Sequence, residues 1–119
     1  DEQRVREAII NLVTNAIQAS RRLEPVRVRV TRDGRRVRIA VTDDGPGIPR
    51  ELVPRLFTPF FTTRPTGTGL GLAVVRRLAE GHGGEVLCDP KGPGATFVLV
   101  LPIDAVEVPA PFADAPRPS

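Results

Sequence analysis

Two glycine-rich turns constrain how this chain can fold. The first spans Asp43 to Pro49 and follows an alternating segment, and the second, Gly67 to Gly71, runs directly into a helical pattern. Glycines adopt backbone angles that other residues resist, and they let a flat ring approach the main chain closely. We therefore expect both turns to lie beside a ligand.

Apolar residues at helical spacing predict two long helices and a shorter one. The first covers about Gln3 to Ser20, the second covers Leu70 to about Glu80, and the short helix is expected at Glu51–Leu56. Gly81 to Gly84 should end the second long helix, because glycine accepts the left-handed conformation found at helix C-termini.

Alternating apolar and polar residues predict four strands. Val26–Thr31 and Arg36–Thr42 form a hairpin, and Glu85–Cys88 is followed by Ala95–Leu101 as a second pair. The expected class is α+β, a two-layer α/β sandwich in which about three helices pack on one side of a mixed β-sheet.

The length of 119 residues suits a single core, and one domain is expected over residues 1–103. Residues 104–119 are rich in Pro and Ala and lack a period, so they are expected to form a disordered tail.

The composition narrows the class of protein. A single cysteine, Cys88, cannot form an intrachain disulfide, which suits a reducing compartment. The sequence contains neither a charged leader with an apolar core nor a run of transmembrane length, so a cytoplasmic domain is expected.

The net charge is +3, and all but one of the basic residues are Arg. On the predicted hairpin, Arg27, Arg29, Arg36 and Arg38 alternate with apolar residues, which is typical of a solvated strand face. Nucleic-acid binding is not expected, because the sequence offers neither interleaved aromatics nor a recognition helix.

The first helix carries an amide stripe. Glu7, Asn11 and Asn15 are spaced by four residues, and Gln18 falls near the same edge. An amide oxygen can ligate Mg²⁺, which needs few protein ligands when phosphates and water complete its shell, and an amide NH₂ can donate to phosphate. Solvent-facing asparagines would explain the pattern equally well.

Asp43 follows a predicted strand and precedes a Gly-Pro-Gly turn. A carboxylate at a pocket floor can accept a hydrogen bond from the exocyclic amine of adenine, whereas guanine has a carbonyl at that position. An ordinary Asp-Gly turn is the alternative.

The second turn, Gly67 to Gly71, opens a helix, and the N–H groups of a helix start favour a phosphate. Its G-x-G-x-G spacing and the loop before it do not fit a dinucleotide fold, and the Gly-Lys-Ser/Thr ending of a P-loop is missing.

Three phenylalanines, Phe57, Phe60 and Phe61, precede this turn. Buried Phe would anchor one end of a loop whose Thr-, Pro- and Gly-rich part is free to close. Arg64 could then reach a terminal phosphate with its fork of donors. Core phenylalanines and a surface arginine remain the alternative.

In their order and spacing, these blocks resemble the N, G1, F and G2 boxes of the Bergerat-fold ATPases, a group that includes sensor histidine kinases and gyrase-type topoisomerases. Residues 7–17 match the kinase form of the N box, and residues 43–49 match G1. Residues 56–72 resemble the short-lid form of nitrogen-regulation-type sensor kinases, and residues 92–97 with 101–102 resemble the terminal glycine block.

The resemblance implies an ATP-binding catalytic domain of a sensor histidine kinase, with ATP and Mg²⁺ as cofactors. Asn15 would be the Mg²⁺ ligand and Asn11 a neighbouring pocket residue. Together with Arg64, whose position in the loop suggests a contact with the terminal phosphate, they are the expected catalytic residues. The expected nucleotide-binding residues are Asp43, Gly45, Gly47, Ile48, Phe57, Phe60, Gly67, Thr68, Gly69, Leu70, Gly71, Leu72 and Thr96.

One position favours a kinase over a hydrolase. The hydrolysing members of the group carry Glu one helical turn before the Mg²⁺-ligating Asn, and here that position is Asn11, whose amide has no useful basicity. Gln18 stands where many sensor kinases have Lys, which removes one charged phosphate contact. His82, the single histidine, is expected to cap or pack at the helix end rather than accept phosphate.

The resemblance also implies partners: a helical dimerisation domain that carries the phosphoacceptor His, and a downstream response regulator. The isolated fragment is expected to be monomeric and its parent a homodimer. Two alternatives stay open, namely a protein serine kinase or regulatory ATPase of the same superfamily, and a non-catalytic nucleotide-binding or basic interaction module.

Overall fold

The computed structural model describes residues 2–21, 24–61, 71–90 and 94–105. Each predicted helix and strand is present within two residues of its expected bounds. The elements are α1 (Glu2–Ala19), β1 (Arg27–Asp33), β2 (Arg36–Thr42), a 3₁₀ helix (Arg50–Arg55), α2 (Gly71–Gly81), β3 (Glu85–Asp89), β4 (Thr96–Pro102) and a second 3₁₀ helix (Ile103–Ala105).

The four strands form one sheet in the order β1-β2-β4-β3, and every described pair is antiparallel. A mixed sheet was expected, and the described residues do not form one. The crossover through α2 joins β2 to β3, which run in the same direction, but β4 lies between them. The two strands of each hairpin, β1 with β2 and β3 with β4, run antiparallel, as short connections require.

The helices cover one face of this sheet, which makes two layers. Strand alternation sends successive side chains to opposite faces, so the buried rows of β2 and β4 lie beneath the helices. Burial of these apolar surfaces supplies the main driving force for folding. Within the core cluster, these four elements contribute Val5, Ala8, Leu12 and Ala16 of α1, Val37, Ile39 and Val41 of β2, Val75, Leu78 and Ala79 of α2, and Phe97, Leu99 and Leu101 of β4.

The third, short helix is a 3₁₀ helix rather than an α-helix. Pro54 lies inside it, and proline lacks the N–H that an α-helical interior needs. Short runs with tighter hydrogen bonding tolerate this better. The helical layer over the sheet therefore consists of α1, α2 and one short 3₁₀ segment.

The glycines that follow α2 end this helix, as predicted. Gly83 has φ +77°, and the N–H of Gly84 donates to the Ala79 carbonyl at 2.8 Å while that of Gly83 donates to Glu80 at 3.1 Å. This pair of bonds is a Schellman motif, which satisfies the last carbonyls of the helix.

Candidate functional site

Asp43 is a buried carboxylate at the end of β2, with 6% of its surface exposed. Its Oδ1 accepts hydrogen bonds from the main-chain N–H of Gly45 at 2.8 Å and of Ala95 at 3.3 Å. Its own N–H donates to the Ala95 carbonyl at 3.0 Å. No hydrogen bond to Oδ2 is formed by any residue that the structure describes, so this oxygen remains able to accept one from a ligand.

Two glycines make this position of Asp43 possible. A Cβ at Gly94 would lie 2.7 Å from the Asp43 carbonyl carbon, and a Cβ at Gly45 would lie 3.0 Å from the Ala19 carbonyl carbon. At both glycines the Cβ would lie even closer to the attached carbonyl oxygen, nearer than real Cβ atoms approach other atoms. The Asp43 turn is therefore wedged between the C-terminal end of α1 and the start of β4.

Asp44, the neighbouring carboxylate, forms hydrogen bonds with a different segment. Its Oδ1 accepts from the Ser20 hydroxyl at 2.5 Å and from the Arg21 N–H at 2.9 Å, and its Oδ2 accepts from the Glu24 N–H at 2.8 Å. Asp44 thus fastens the segment after α1 to the turn. The sequence did not predict this role of Asp44. The alternation of buried residues along β2 does predict that Asp43, rather than Asp44, is the buried carboxylate.

The amide stripe of α1 faces the start of α2. A Cβ at Gly71 would lie 3.5 Å from the Asn11 Oδ1, and the Asn11 Nδ2 donates to the Glu7 carbonyl at 3.1 Å. The backbone contact fixes the amide, so its oxygen is turned toward α2. Asn15 is partly buried one turn further along.

α1 connects the two glycine turns. Residues 11, 15 and 19 follow at intervals of four, so Asn15 lies midway between the contact with Gly71 and the contact with Gly45. At 1.5 Å per residue, this stripe is about 12 Å long. A carboxylate at one end, a helix start at the other and an amide between them form a row suited to a ligand with a polar ring and an anionic tail.

The phenylalanines divide into two groups. Phe57 packs edge-on against Phe97 with ring centroids 6.0 Å apart, and Phe61 packs against the core beneath the Arg55 guanidinium, which lies 5.1 Å from its ring centroid. Both anchor the segment as expected. Phe60 does not, because it is 75% exposed and its φ is +67°.

The other expected nucleotide-binding residues that the structure describes also differ in where they lie. Gly47 has φ +80°, which the turn requires, and the side chains of Ile48 and Leu72 pack partly buried against the core. Thr96 lies on the other side of the sheet from Phe97, and its hydroxyl is 2.9 Å from that of Thr42. The structure therefore does not bring the Thr96 side chain toward the helices, since strand alternation directs it away.

Five expected residues lie outside the described residues, and the structure reports nothing on them: Arg64, Gly67, Thr68, Gly69 and Leu70. The side of the site that they would form is a proposal from sequence.

Cys88 lies on β3 opposite Phe97 of β4, with its side chain half-buried against the core. Burial raises the pKa of the Cys88 thiol to about 11, and the carboxylates of Asp89 and Asp43 add to the effect. The thiol is therefore neutral at physiological pH, which favours a packing role over a nucleophilic one.

His82 caps α2, as expected. Its Nδ1 donates to the Leu78 carbonyl at 2.8 Å. A cavity of about 470 Å³ opens beside it, at the end of α1 away from Asp43. Its lining includes none of the expected site residues and consists of Arg4, Glu7, Val74, Arg77, Leu78, Gly81 and His82.

The described ranges lack two kinds of feature. They contain no group of three or more His, Cys, Asp or Glu side chains able to hold a metal ion by themselves. They also contain no helix that is long and apolar enough to cross a membrane.

Comparison with known proteins decides the family. The model of the histidine kinase-, DNA gyrase B-, and HSP90-like ATPase family matches residues 1–105. The chain belongs to this family. Among curated relatives of this ATPase domain, the sensor histidine kinase ZraS of Escherichia coli K12 is 43% identical over 105 residues, which cover 87% of the chain and 23% of ZraS. The chain thus spans about a quarter of the length of such relatives.

Solved structures agree with this assignment. The mycobacterial sensor histidine kinase MprB superposes with a TM-score of 0.79 at 32% identity, covering 86% of this chain and 74% of MprB. ShkA, solved at full length in complex with AMPPNP, superposes with a TM-score of 0.75 at 37% identity, covering 83% of this chain and 21% of ShkA. The α+β sandwich is therefore the ATPase fold of histidine kinases.

Proposed function

We propose that this chain is the ATP-binding catalytic domain of a sensor histidine kinase, and that it transfers the γ-phosphoryl group of ATP to a His on a separate dimerisation domain. The observation that carries the proposal is the buried carboxylate of Asp43, with one oxygen held by two main-chain N–H groups and the other open to a ligand. The 43% identity with the sensor histidine kinase ZraS over 105 residues also supports the proposal.

The polarity at Asp43 supports adenine as the base. Oδ1 is already occupied by the N–H groups of Gly45 and Ala95, so Oδ2 is the oxygen that meets a ligand. An ionised carboxylate only accepts hydrogen bonds, and the exocyclic amine of adenine donates them. The carbonyl of guanine at the same position would face a carboxylate oxygen without a proton between them.

The geometry of α1 supports placing the phosphates beside Asn15 and Gly71. The stripe from Ala19 to Asn11 leads about 12 Å away from the base end, toward the start of α2. The first N–H groups of a helix and its dipole favour an anion. The proposed phosphate contacts from Arg64 and residues 67–70 complete this end.

Asn15 fits Mg²⁺ as a single amide ligand. Mg²⁺ prefers oxygen donors and is usually bound by one or two side chains plus substrate phosphates and water. When bound, the ion would neutralise charge that develops on the phosphates during transfer.

The structure around Asn11 supports phosphoryl transfer over hydrolysis. Asn11 lies one turn before Asn15, its NH₂ is engaged with the Glu7 carbonyl, and an amide cannot take a proton from water at neutral pH. ATP bound beside it would keep its γ-phosphoryl group for another acceptor. Positioning and charge neutralisation would then supply most of the catalysis.

The acceptor is proposed to be a His of the parent's helical dimerisation domain. A response regulator is proposed to receive the phosphoryl group from that His. His82 is a poor candidate, because its Nδ1 is engaged with the Leu78 carbonyl at the end of α2. The domain is proposed to be cytoplasmic and monomeric by itself, within a homodimeric parent.

A nucleotide titration followed by a transfer assay tests the proposal. ATP with Mg²⁺ should raise the melting temperature in a concentration-dependent way, since a ligand that binds only the native state stabilises it, and GTP should do so much less. Incubated with a histidine kinase dimerisation domain, the chain should place acid-labile phosphate on that domain's His. Acid-stable phosphate on Ser would instead favour a serine kinase, and no nucleotide binding would contradict the proposal.

A further inference from the structure

The end of α1 lies directly against the turn that follows β2. α1 ends at Ala19, and a Cβ on Gly45 of that turn would lie 3.0 Å from the Ala19 carbonyl carbon. This steric contact sets how closely the helix and the turn can approach each other. It does nothing to stop them from moving apart, so an attractive interaction is needed to fix their separation.

Asp44 supplies that attraction. Its carboxylate accepts hydrogen bonds from the Ser20 hydroxyl at 2.5 Å, the Arg21 N–H at 2.9 Å and the Glu24 N–H at 2.8 Å. All three of these donors belong to the segment that follows α1. Hydrogen bonds to an ionised carboxylate are roughly twice as strong as neutral ones. The turn and this segment are therefore held together by charge-assisted bonds as well as by steric contact.

The bonded segment is continuous with α1. The Ser20 N–H donates to the Ala16 carbonyl at 2.9 Å, which extends the hydrogen-bonding pattern of the helix by one residue. Because the backbone of a helix is bonded from turn to turn, a displacement of Ser20 along the axis carries the preceding turns with it. Asn15 lies about 6 Å before Ala19 along this axis, at about 1.5 Å per residue. The bonds of Asp44 therefore fix the axial position of Asn15 relative to the turn.

Packing of α1 against the sheet constrains this axial position less tightly. Leu12 and Ala16 are fully buried beneath the helix, and the free energy of apolar burial is non-directional. A helix that slides by a small part of a turn keeps much of that burial, whereas hydrogen bonds weaken steeply when their geometry changes. Asp44 thus adds a directional contact at this end of α1.

The neighbouring Asp43 is held independently of α1. Its Oδ1 accepts from the main-chain N–H groups of Gly45, in the same turn, and Ala95, just before β4. The two adjacent carboxylates therefore connect the turn to different parts of the fold. Removing the Asp44 side chain should leave the Asp43 carboxylate in place while it loosens the end of α1.

We propose that Asp44 is a positioning residue of the nucleotide site, which holds Asn15 of α1 at the distance from Asp43 that a nucleoside triphosphate spans. This inference rests on the function proposed above, in which Asp43 binds the base and Asn15 lies beside the phosphates. A ligand that reaches both ends gains from binding them at once only when their separation matches its own length. Both carboxylate oxygens of Asp44 bond to the segment after α1, so Asp44 acts through the helix.

The affinities of a whole ligand and of its two halves test this role. Adenosine should bind at the Asp43 end, tripolyphosphate with Mg²⁺ at the Asn15 end, and ATP with Mg²⁺ at both, with each Kd measured by competition against a fluorescent ADP analogue. We expect Asp44→Ala to raise the Kd of ATP by at least about tenfold, and to change the Kd of adenosine and of tripolyphosphate by less than about twofold. A purely structural role would lower the midpoint of thermal unfolding without changing the ratios between the three affinities.

A milder variant keeps the test decisive if Asp44→Ala folds poorly. Ser20→Ala removes one donor and should raise the Kd of ATP about threefold, because the main-chain donors of Arg21 and Glu24 remain. In the Asp44→Ala background the same change should add nothing, since the bond is already lost; an additive effect would show that Ser20 does not act through Asp44. Asp33→Ala, at an exposed carboxylate in the hairpin, is the matched control and should change none of the affinities.

Three results would overturn the positioning role while leaving the proposed function intact. If Asp44→Ala weakened ATP and adenosine by the same factor, Asp44 would support the base end alone. If it changed neither Kd, α1 would be held in place without Asp44. If adenosine or tripolyphosphate failed to compete on a wild-type chain that binds ATP, there would be no separate ends to position. A wild-type chain that bound none of the three ligands would contradict the proposed function itself, and this inference with it.

Discussion

Gly94 lies so close to Asp43 that a Cβ on residue 94 would be 2.7 Å from the Asp43 carbonyl carbon and 2.9 Å from its Oδ1. The start of β4 is thereby pressed against the turn after β2, and the Ala95 N–H reaches the carboxylate. A residue 51 positions away in sequence thus orients the side chain on which base recognition is proposed to depend.

Replacing this glycine should disturb both stability and the site. Gly94→Ala is expected to lower the free energy of unfolding by about 1–3 kcal/mol, because the methyl group must displace main-chain atoms. Gly81→Ala is the matched control, since a Cβ there meets nothing within 4 Å and Ala favours a helix. Urea unfolding of both variants measures the difference; equal stability would show that the turn can relax.

Asp43→Asn should change the preference for the base. The Asn oxygen must stay toward the two main-chain N–H groups, which turns its NH₂ toward the ligand, where it would face the adenine amine. We expect the Kd for ATP to rise on the order of 10- to 100-fold, and the preference for ATP over GTP to shrink. Calorimetric titration with both nucleotides measures this, and Asp33→Asn, at an exposed position in the hairpin, is the control. Unchanged ATP affinity would remove Asp43 from the proposed base pocket.

Asn15→Ala should uncouple nucleotide binding from magnesium. The wild-type chain is expected to bind ATP more tightly with Mg²⁺ than with EDTA, because Asn15 would hold the ion and the ion would neutralise phosphate charge. In the variant the two affinities should become nearly equal. Thermal shifts at several Mg²⁺ concentrations measure the effect, with Thr14→Ala on the exposed side of α1 as the control. A magnesium dependence that survives in Asn15→Ala would assign the ion to other ligands.

The Cys88 thiol should react slowly and should lose its proton only at high pH. Because burial raises its pKa to about 11, alkylation by iodoacetamide should keep accelerating up to about pH 11 in the folded chain, and should level off earlier in the unfolded chain. The neutral thiol is favoured in the folded state, so this group's contribution to stability is present below the pKa of the unfolded chain. It is lost as the pH rises through the folded value. Alkylation rates with and without urea measure the pKa in each state; equal pKa values would contradict the burial effect.

The helices and strands were predictable because their signals are local. The spacing of Leu12 and Ala16 and the alternation of Val37, Ile39 and Val41 follow from the 3.6-residue and 2-residue periods, and each period survives in the structure. Gly83 and Gly47 occupy backbone conformations that favour glycine, so their turns were also visible in sequence.

Other features escaped prediction because they depend on contacts between distant residues. Phe60 carries the same side chain as Phe57, yet only Phe57 reaches Phe97, while Phe60 is turned outward by a positive φ. Thr96 was expected at the nucleotide, but its place on β4 pairs it with Thr42 on the far face. Residue type alone does not distinguish Phe60 from Phe57, because a side chain's neighbours are set by register and packing.

By itself, the sequence determined which residues form helices, strands and turns, and which functional groups the chain carries, because both follow from residue type and short-range spacing. The tertiary structure decided what each carboxylate contacts: Asp43 accepts hydrogen bonds from Gly45 and Ala95, and Asp44 accepts them from the segment that follows α1. It also decided the order β1-β2-β4-β3 of the described strands. These outcomes come from packing α1, β2 and β4 together, where steric exclusion and burial act between residues far apart in the chain.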